Sequence, residues 1–132
     1  MMTAISHGQI RGEVRRQEPL SRHTTWRVGG PARRFYRPAD SDDLVFFLRG
    51  LSPEEPLLWL GLGSNLLVRD GGFPGTVIAT QGRLQQLNMV SSTRLRAEAG
   101  VACARVARAG AKAGLCGLEF LAGIPGTMGG AL

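Results

Sequence analysis

Two glycine-rich stretches contain residue types that can hold an anionic ligand. In the first, LGLGSNLLVRDGGFPG (residues 60–75), Gly61 and Gly63 are followed by Ser64 and Asn65. Glycines accept positive φ and expose consecutive backbone N–H groups, and the two polar side chains add hydrogen-bonding groups. Such a turn can surround a phosphate. A plain connecting turn is the alternative, because the stretch matches neither the GxGxxG dinucleotide pattern nor the P-loop.

The second stretch is GIPGTMGGAL, residues 123–132. Pro125 fixes one backbone angle, its four glycines permit the close approach of a ligand, and Thr127 can donate a hydrogen bond. Taken alone, the stretch is compatible with a disordered tail. Two such stretches, each following an apolar segment, favour a pair of loops that face each other across a dinucleotide.

Side chains suited to catalysis are scarce. His7 and His23 lie in polar sequence and are expected at the surface, and there is no nucleophile–base motif or carboxylate pair at helical spacing. We therefore predict no catalytic residue, and for Glu119 a structural role as an acceptor for loop N–H groups. Cys103 and Cys116 lack a CxxC partner or a histidine cluster, so the sequence predicts two reduced, buried thiols and no metal site.

The composition limits the protein's class. The chain has 132 residues, a length that suffices for one domain or slightly more. Its net charge is +6. Its basic residues are scattered and not interleaved with aromatic ones, which favours a solvated surface over a nucleic-acid interface. Without a signal peptide or a run of ~18 apolar residues, the sequence predicts a cytoplasmic protein without a membrane span.

The elements around the first stretch follow a strand–helix–strand order. Residues 33–39 alternate as a strand does, and residues 40–51 have an acidic start and an apolar stripe typical of a helix. The short apolar runs at 56–60 and 76–79 predict strands, the former buried on both faces. Residues 1–18 are polar and without periodicity, and predict a loose arm.

The second half has a different pattern. Residues 84–90 and 93–99 predict two strands joined by a turn at Ser91 and Ser92, and residues 101–114 predict a helix. One face of this helix carries residues that are nearly all small, which favours close packing. These residues are Cys103, Val106, Ala107 and Gly110.

Three blocks together carry a family resemblance: PLSRHTTWRVGGPA at 19–32, LGLGSNLLVRDGGFPGTVI at 60–78 and GLEFLAGIPGTMGGA at 117–131. They resemble the UDP-N-acetylenolpyruvylglucosamine reductase family of flavoenzymes. The resemblance implies an α+β FAD-binding domain of the PCMH type, which is vanillyl-alcohol-oxidase-like, with FAD between two subdomains. The first subdomain would be complete at 19–80. The second, 84–132, would be truncated, and the substrate domain absent.

The resemblance also implies roles for the glycine-rich stretches. Gly61, Gly63, Ser64 and Asn65 would hold the FAD pyrophosphate. The segment TTWRVGG would form an entry turn and strand. The cofactor would be lined from the other subdomain by Gly123, Ile124, Pro125, Gly126, Thr127, Gly129 and Gly130.

In this family NADPH reduces FAD, and the reduced flavin transfers hydride to UDP-N-acetylglucosamine enolpyruvate, which yields UDP-N-acetylmuramate for peptidoglycan. The family's catalytic Ser, Arg and Glu match no position in this chain. We therefore expect this chain alone to be inactive and to retain FAD poorly. A stand-alone FAD- or nucleotide-binding module, or part of another flavin oxidoreductase of the same fold, are the alternatives. The oligomeric state stays open.

Overall fold

A computed structural model describes residues 9–132 as a four-stranded mixed sheet followed by a hairpin and helices. In the sheet, β1 pairs antiparallel with β2, while β4 lies between β2 and β3 and is parallel to both. The strands and helix of this first unit are β1 (Glu13–Pro19), β2 (Pro31–Arg37), α1 (Ser41–Arg49), β3 (Leu57–Leu60) and β4 (Phe73–Ala79).

The central strands β2 and β4 bury both faces of the sheet. Phe35 and Val77 belong to the core cluster on one side, while their chain neighbours Tyr36 and Ile78 belong to the other, as the two-residue period of a strand requires. Tyr36 stacks on Phe47 of α1 with ring centroids 3.8 Å apart. Burying each large side chain contributes roughly 1.5–3 kcal/mol.

Helix α1 forms where the sequence predicts it. The Asp40 side chain caps the first turn by accepting a hydrogen bond from the Asp43 N–H at 2.9 Å. Its apolar stripe packs on the Tyr36 cluster through Leu44 and Leu48. This prediction is confirmed because the capping residue and the stripe agree on the same segment.

The prediction that residues 56–60 are buried on both faces is wrong. Strand β3 lies at the edge of the sheet, and Leu57 and Trp59 are 40% and 52% exposed. Only Leu60 is buried. A short apolar run predicts a strand, but it does not distinguish a central strand from an edge strand.

The loose arm predicted for residues 1–18 is wrong for residues 13–18. These residues form most of β1, which pairs with β2 from Glu13 opposite Arg37 to Pro19 opposite Pro31. Backbone pairing, rather than a side-chain pattern, holds this strand, and only Glu18 within it is buried. Residues 1–8, including His7, lie outside the described part of the chain.

The second unit combines a hairpin with two short turns of helix around helix α2. The predicted hairpin and the helix are confirmed, and the small face of the helix is buried. A Cβ at Gly110 would lie 2.8 Å from Leu118 Cδ1, so the glycine lets the Leu118 side chain pack closely on the helix. Its elements are β5 (Leu87–Met89), β6 (Leu95–Ala97), α2 (Cys103–Lys112), a 3₁₀ turn (Glu119–Gly123) and α3 (Met128–Ala131).

The two cysteines differ in environment. Cys103 is buried in the second core, as predicted, whereas Cys116 is exposed, which contradicts the prediction of two buried thiols. Cys116 lies in the turn that follows α2, outside the buried face. Within residues 9–132, no helix combines the length and apolarity needed to cross a membrane, and no three His, Cys, Asp or Glu side chains cluster as metal ligands.

Candidate functional site

The two glycine-rich loops meet in space. We call residues 61–65 the first loop and residues 123–130 the second loop. A Cβ at Gly61 would lie only 2.6 Å from Thr127 Oγ1, so the two loops touch at this point. Thr127 is buried, and its hydroxyl accepts a hydrogen bond from the Gly130 N–H at 3.3 Å. The fold therefore joins two segments that are distant in sequence.

The second loop is held by backbone hydrogen bonds to residues 99–103, which lead into the start of α2. The Gly126 carbonyl accepts from the Cys103 N–H at 3.0 Å, and the Met128 N–H donates to Val101 at 2.8 Å. These bonds flank an isolated bridge between Ala102 and Thr127. The segment is thus a paired loop rather than a frayed tail.

The first loop is fixed at Gly63. This residue has a φ of +77°, and a Cβ there would overlap the carbonyl oxygen of His23. The Thr25 N–H donates to the Gly63 carbonyl at 3.0 Å. Only glycine satisfies both the backbone angle and the close approach.

Backbone donors are available in the first loop. None of the N–H groups of residues 61–65 donates to an acceptor within residues 9–132, and the side chains of Ser64 and Asn65 are exposed. In the second loop, a Cβ at Gly123 or Gly126 would meet nothing within 4 Å. Free N–H groups beside bare backbone are suited to binding a phosphate at close range.

A buried charged group lies behind the first loop. Glu18 is only 5% exposed, and its Oε1 lies 3.0 Å from His23 Nε2 and 3.2 Å from an Arg15 guanidinium nitrogen. Burial acts to raise the pKa of Glu18, but the His23 hydrogen bond and the Arg15 charge outweigh it and lower the pKa. The His23 ring also stacks on Phe35 at 4.2 Å. His23 is therefore half-buried, with its side chain 24% exposed, rather than fully at the surface as expected.

The segment that enters the site differs from the prediction in one respect. Residues 24–30 (TTWRVGG) form turns and extended coil, and the strand begins only at Pro31. Thr24 Oγ1 donates to the Val28 carbonyl at 3.0 Å, and Arg27 adopts a φ of +54°, so the local turn prevents sheet pairing.

Glu119 accepts from the Gly117 N–H at 2.8 Å, which confirms its predicted structural role.

Comparison with protein families identifies this arrangement. The family described as "FAD binding domain" matches residues 32–132, which include both loops. The chain belongs to this family. The match confirms the predicted α+β FAD-binding fold and FAD as its cofactor.

Individual relatives of this FAD-binding domain carry one name, UDP-N-acetylenolpyruvoylglucosamine reductase. The chain is 60% identical to the protein of Nitrosococcus oceani over 99% of its own length and 44% of the relative. It is 62% identical to that of Methylococcus capsulatus over 92% of its length and 40% of the relative. The predicted resemblance is confirmed, and the chain spans less than half the length of these relatives.

A solved structure agrees with this assignment. The crystal structure of the Thermus caldophilus UDP-N-acetylenolpyruvylglucosamine reductase matches 93% of this FAD-binding domain and 41% of the crystallised chain. It does so with a TM-score of 0.65 and 35% sequence identity.

The residues at the two loops fit a dinucleotide. The free N–H groups of residues 61–65 offer donors for a pyrophosphate, and the open backbone at Gly123 and Gly126 leaves space for a planar group to approach. The touching pair Gly61 and Thr127 sets the two surfaces side by side. The residues that the sequence missed are Glu18 and the His23 backbone. The only signal for them was His23 itself, a histidine five residues after Glu18.

Proposed function

We propose that the first and second loops together bind FAD. The observation that carries the proposal is the contact of Gly61 with Thr127, which joins a loop of free N–H donors to a loop of open glycine backbone. The side chains of Ser64 and Asn65 add polar groups at the same edge. Membership of the FAD binding domain family supports this ligand over other nucleotides.

In this proposal each loop has its own role. The first loop binds the pyrophosphate through Gly61, Gly63, Ser64 and Asn65. Three or four hydrogen bonds to a charged oxygen, at roughly 1.5–3 kcal/mol each, supply much of the ~8–12 kcal/mol of micromolar to nanomolar binding. The second loop lines the cofactor from the other unit with Gly123, Ile124, Pro125, Gly126, Thr127, Gly129 and Gly130.

We further propose that this domain serves UDP-N-acetylenolpyruvoylglucosamine reduction, the activity in the names of its relatives, and that it does so in the cytoplasm. FAD, when bound, supplies hydride transfer from NADPH to the enolpyruvyl group, giving UDP-N-acetylmuramate for peptidoglycan. The residues of this chain bind and orient the cofactor. We assign none of them to proton transfer, because none matches a catalytic position of the family.

The binding proposal is tested by titrating the 132-residue chain with FAD and following flavin fluorescence. Replacing Ser64 and Asn65 together by alanine removes two exposed side chains, so the folded structure should persist while the affinity for FAD falls about tenfold. The matched control replaces Asn88 and Ser92 in the hairpin, which are equally exposed. An equal loss in both double variants, or no loss in either, would overturn the assignment of the first loop.

The catalytic part of the proposal has a separate test. The purified chain is supplied with FAD, NADPH and UDP-N-acetylglucosamine enolpyruvate, and NADPH consumption is measured. We expect no turnover, because the chain supplies binding and orientation only. Turnover dependent on the enolpyruvyl compound would show that residues 1–132 contain catalytic groups that the family resemblance does not locate.

A further inference from the structure

Glu18 is a buried ionised side chain, only 5% exposed, in the segment that precedes His23. Glu18 is held by His23 Nε2 at 3.0 Å, by Arg15 at 3.2 Å and by Arg22 at 4.0 Å. A buried ion pair is weak evidence for a stabilising role, since an apolar replacement often stabilises as well. Its position therefore calls for another explanation.

His23 connects this buried group to the first loop. The His23 ring stacks on Phe35 with one face, and its Nε2 is hydrogen-bonded to Glu18. The backbone N–H of His23 donates to the Leu20 carbonyl at 2.9 Å. Its own carbonyl oxygen lies against Gly63, where no Cβ fits. The neighbouring Thr25 N–H then donates to the Gly63 carbonyl. The side chain and the loop peptide are thus fixed by the same short segment.

We propose that the Glu18–His23 pair is a positioning device for the first loop. By fixing the His23 backbone, the pair sets the orientation of the Gly63 peptide and of the N–H groups that follow it. The inference rests on the proposed function in one respect, namely that this loop binds the FAD phosphates. Nucleotide affinity is the property that depends on the pair, because small displacements of preorganised donors weaken a charged hydrogen bond.

Removing only the donor from His23 separates positioning from general stability. In His23→Phe, an aromatic ring can still stack on Phe35, and Glu18 keeps its two arginine partners but loses one hydrogen bond, so some general loss of stability accompanies the change. The contact that is lost is the hydrogen bond that orients residue 23. His23→Gln restores a donor near the position of Nε2 and is the rescue variant.

Two measurements on the 132-residue chain test the proposal. Flavin fluorescence titration gives the affinity for FAD, and amide hydrogen exchange at Thr25 reports the bond from that residue to Gly63. We expect His23→Phe to weaken FAD binding and to speed Thr25 exchange, each by about tenfold, and His23→Gln to stay within about twofold of the wild type. Exchange at the core amides of β4 should change less than exchange at Thr25 in both variants.

Asp43→Asn provides the stability control, because Asp43 makes no contact with either loop. It should lower the melting temperature without changing the affinity for FAD. Unchanged Thr25 exchange in His23→Phe overturns the positioning role, whatever happens to FAD binding. Faster Thr25 exchange without a change in FAD affinity keeps the positioning role but removes FAD from the first loop. An equal loss of affinity in Asp43→Asn and His23→Phe shows a general stability effect and also overturns the proposal.

Discussion

Gly63 and Gly126 both adopt a positive φ, at +77° and +111°, but their surroundings are opposite. A Cβ at Gly63 would overlap the His23 carbonyl oxygen, whereas a Cβ at Gly126 would meet nothing within 4 Å. In the first loop the protein itself fills the space beside the glycine. In the second loop that space is left for a ligand. Glycine is therefore needed at Gly63 for packing against protein backbone and at Gly126 for the approach of a ligand.

The units that carry the loops are also held differently. The second loop depends on backbone hydrogen bonds to residues 99–103. The first unit contains both carboxylates that are buried among residues 9–132, Glu18 and Asp43. Asp43 is 3% exposed and accepts hydrogen bonds from the Tyr36 hydroxyl at 2.6 Å and from three backbone N–H groups. The first unit is therefore the charge-dependent half of the molecule. The three backbone donors belong to Arg11, Gly12 and Ala39.

Gly63→Val should have the largest effect, since a β-branched residue at positive φ adds strain to a direct overlap with backbone. We expect a loss of about 3–6 kcal/mol in the free energy of unfolding, measured in urea, together with loss of FAD binding. Gly72→Val is the matched control, because Gly72 has the same φ of +77° and a Cβ there would overlap the Pro31 carbonyl. If Gly63→Val retains wild-type flavin affinity, the first loop is not the cradle.

Asp43→Asn should have the next largest effect. The amide offers one acceptor oxygen instead of two and loses the charge, which leaves some of the four donors unsatisfied. We expect a loss of about 2–4 kcal/mol in unfolding free energy, read from urea curves followed by tryptophan fluorescence. A loss below about 0.5 kcal/mol would contradict the assignment of Asp43 as the support of the first unit.

The dependence of stability on pH should identify the same carboxylate. Burial raises the pKa of Asp43, but the hydrogen bonds that it accepts outweigh burial, so the folded pKa lies below the ordinary value of 3.8. This contribution is complete above about pH 5 and is lost as the pH falls through the folded pKa. The stability gap between wild type and Asp43→Asn should therefore shrink between about pH 5 and pH 2. A gap that is constant over this range would show that the charge plays no part.

Gly126→Ala should have the smallest effect on stability and still affect the ligand. A φ of +111° costs alanine about 1–3 kcal/mol, and no neighbour is displaced. Gly114→Ala, at a φ of +73° and with the same open space, is the matched control. Calorimetry should show similar small losses of stability in both, and flavin titration a loss of FAD affinity in Gly126→Ala alone. Equal flavin affinities would mean that the second loop does not approach the cofactor closely.

The sequence predicts individual helices and strands better than it predicts which strands pair with each other. The acidic start of α1, its apolar stripe and the small face of α2 follow from local rules, and all three are confirmed. The edge position of β3 and the pairing of β1 depend on which strands meet, and no periodicity encodes that choice.

The site follows the same division. Glycine content and the family resemblance indicate both loops, because the positive φ angles and close approaches of these loops require glycine, which is visible in the sequence. Glu18 was missed because its burial arises from the way β1 pairs with β2 and from the turn after it. Nothing in a polar N-terminal segment signals that its carboxylate lies behind a loop more than forty residues away.

The contact between Gly61 and Thr127 has a consequence for biosynthesis. All strands of the first sheet lie within residues 13–79. This sheet and the first loop can therefore fold as soon as residue 79 has left the ribosome. The second loop (residues 123–130) and its hydrogen-bond partners at residues 99–103 are translated after the first sheet is complete. The nascent chain therefore presents a nearly finished half-site first, and a flavin can be enclosed only after the opposing surface emerges.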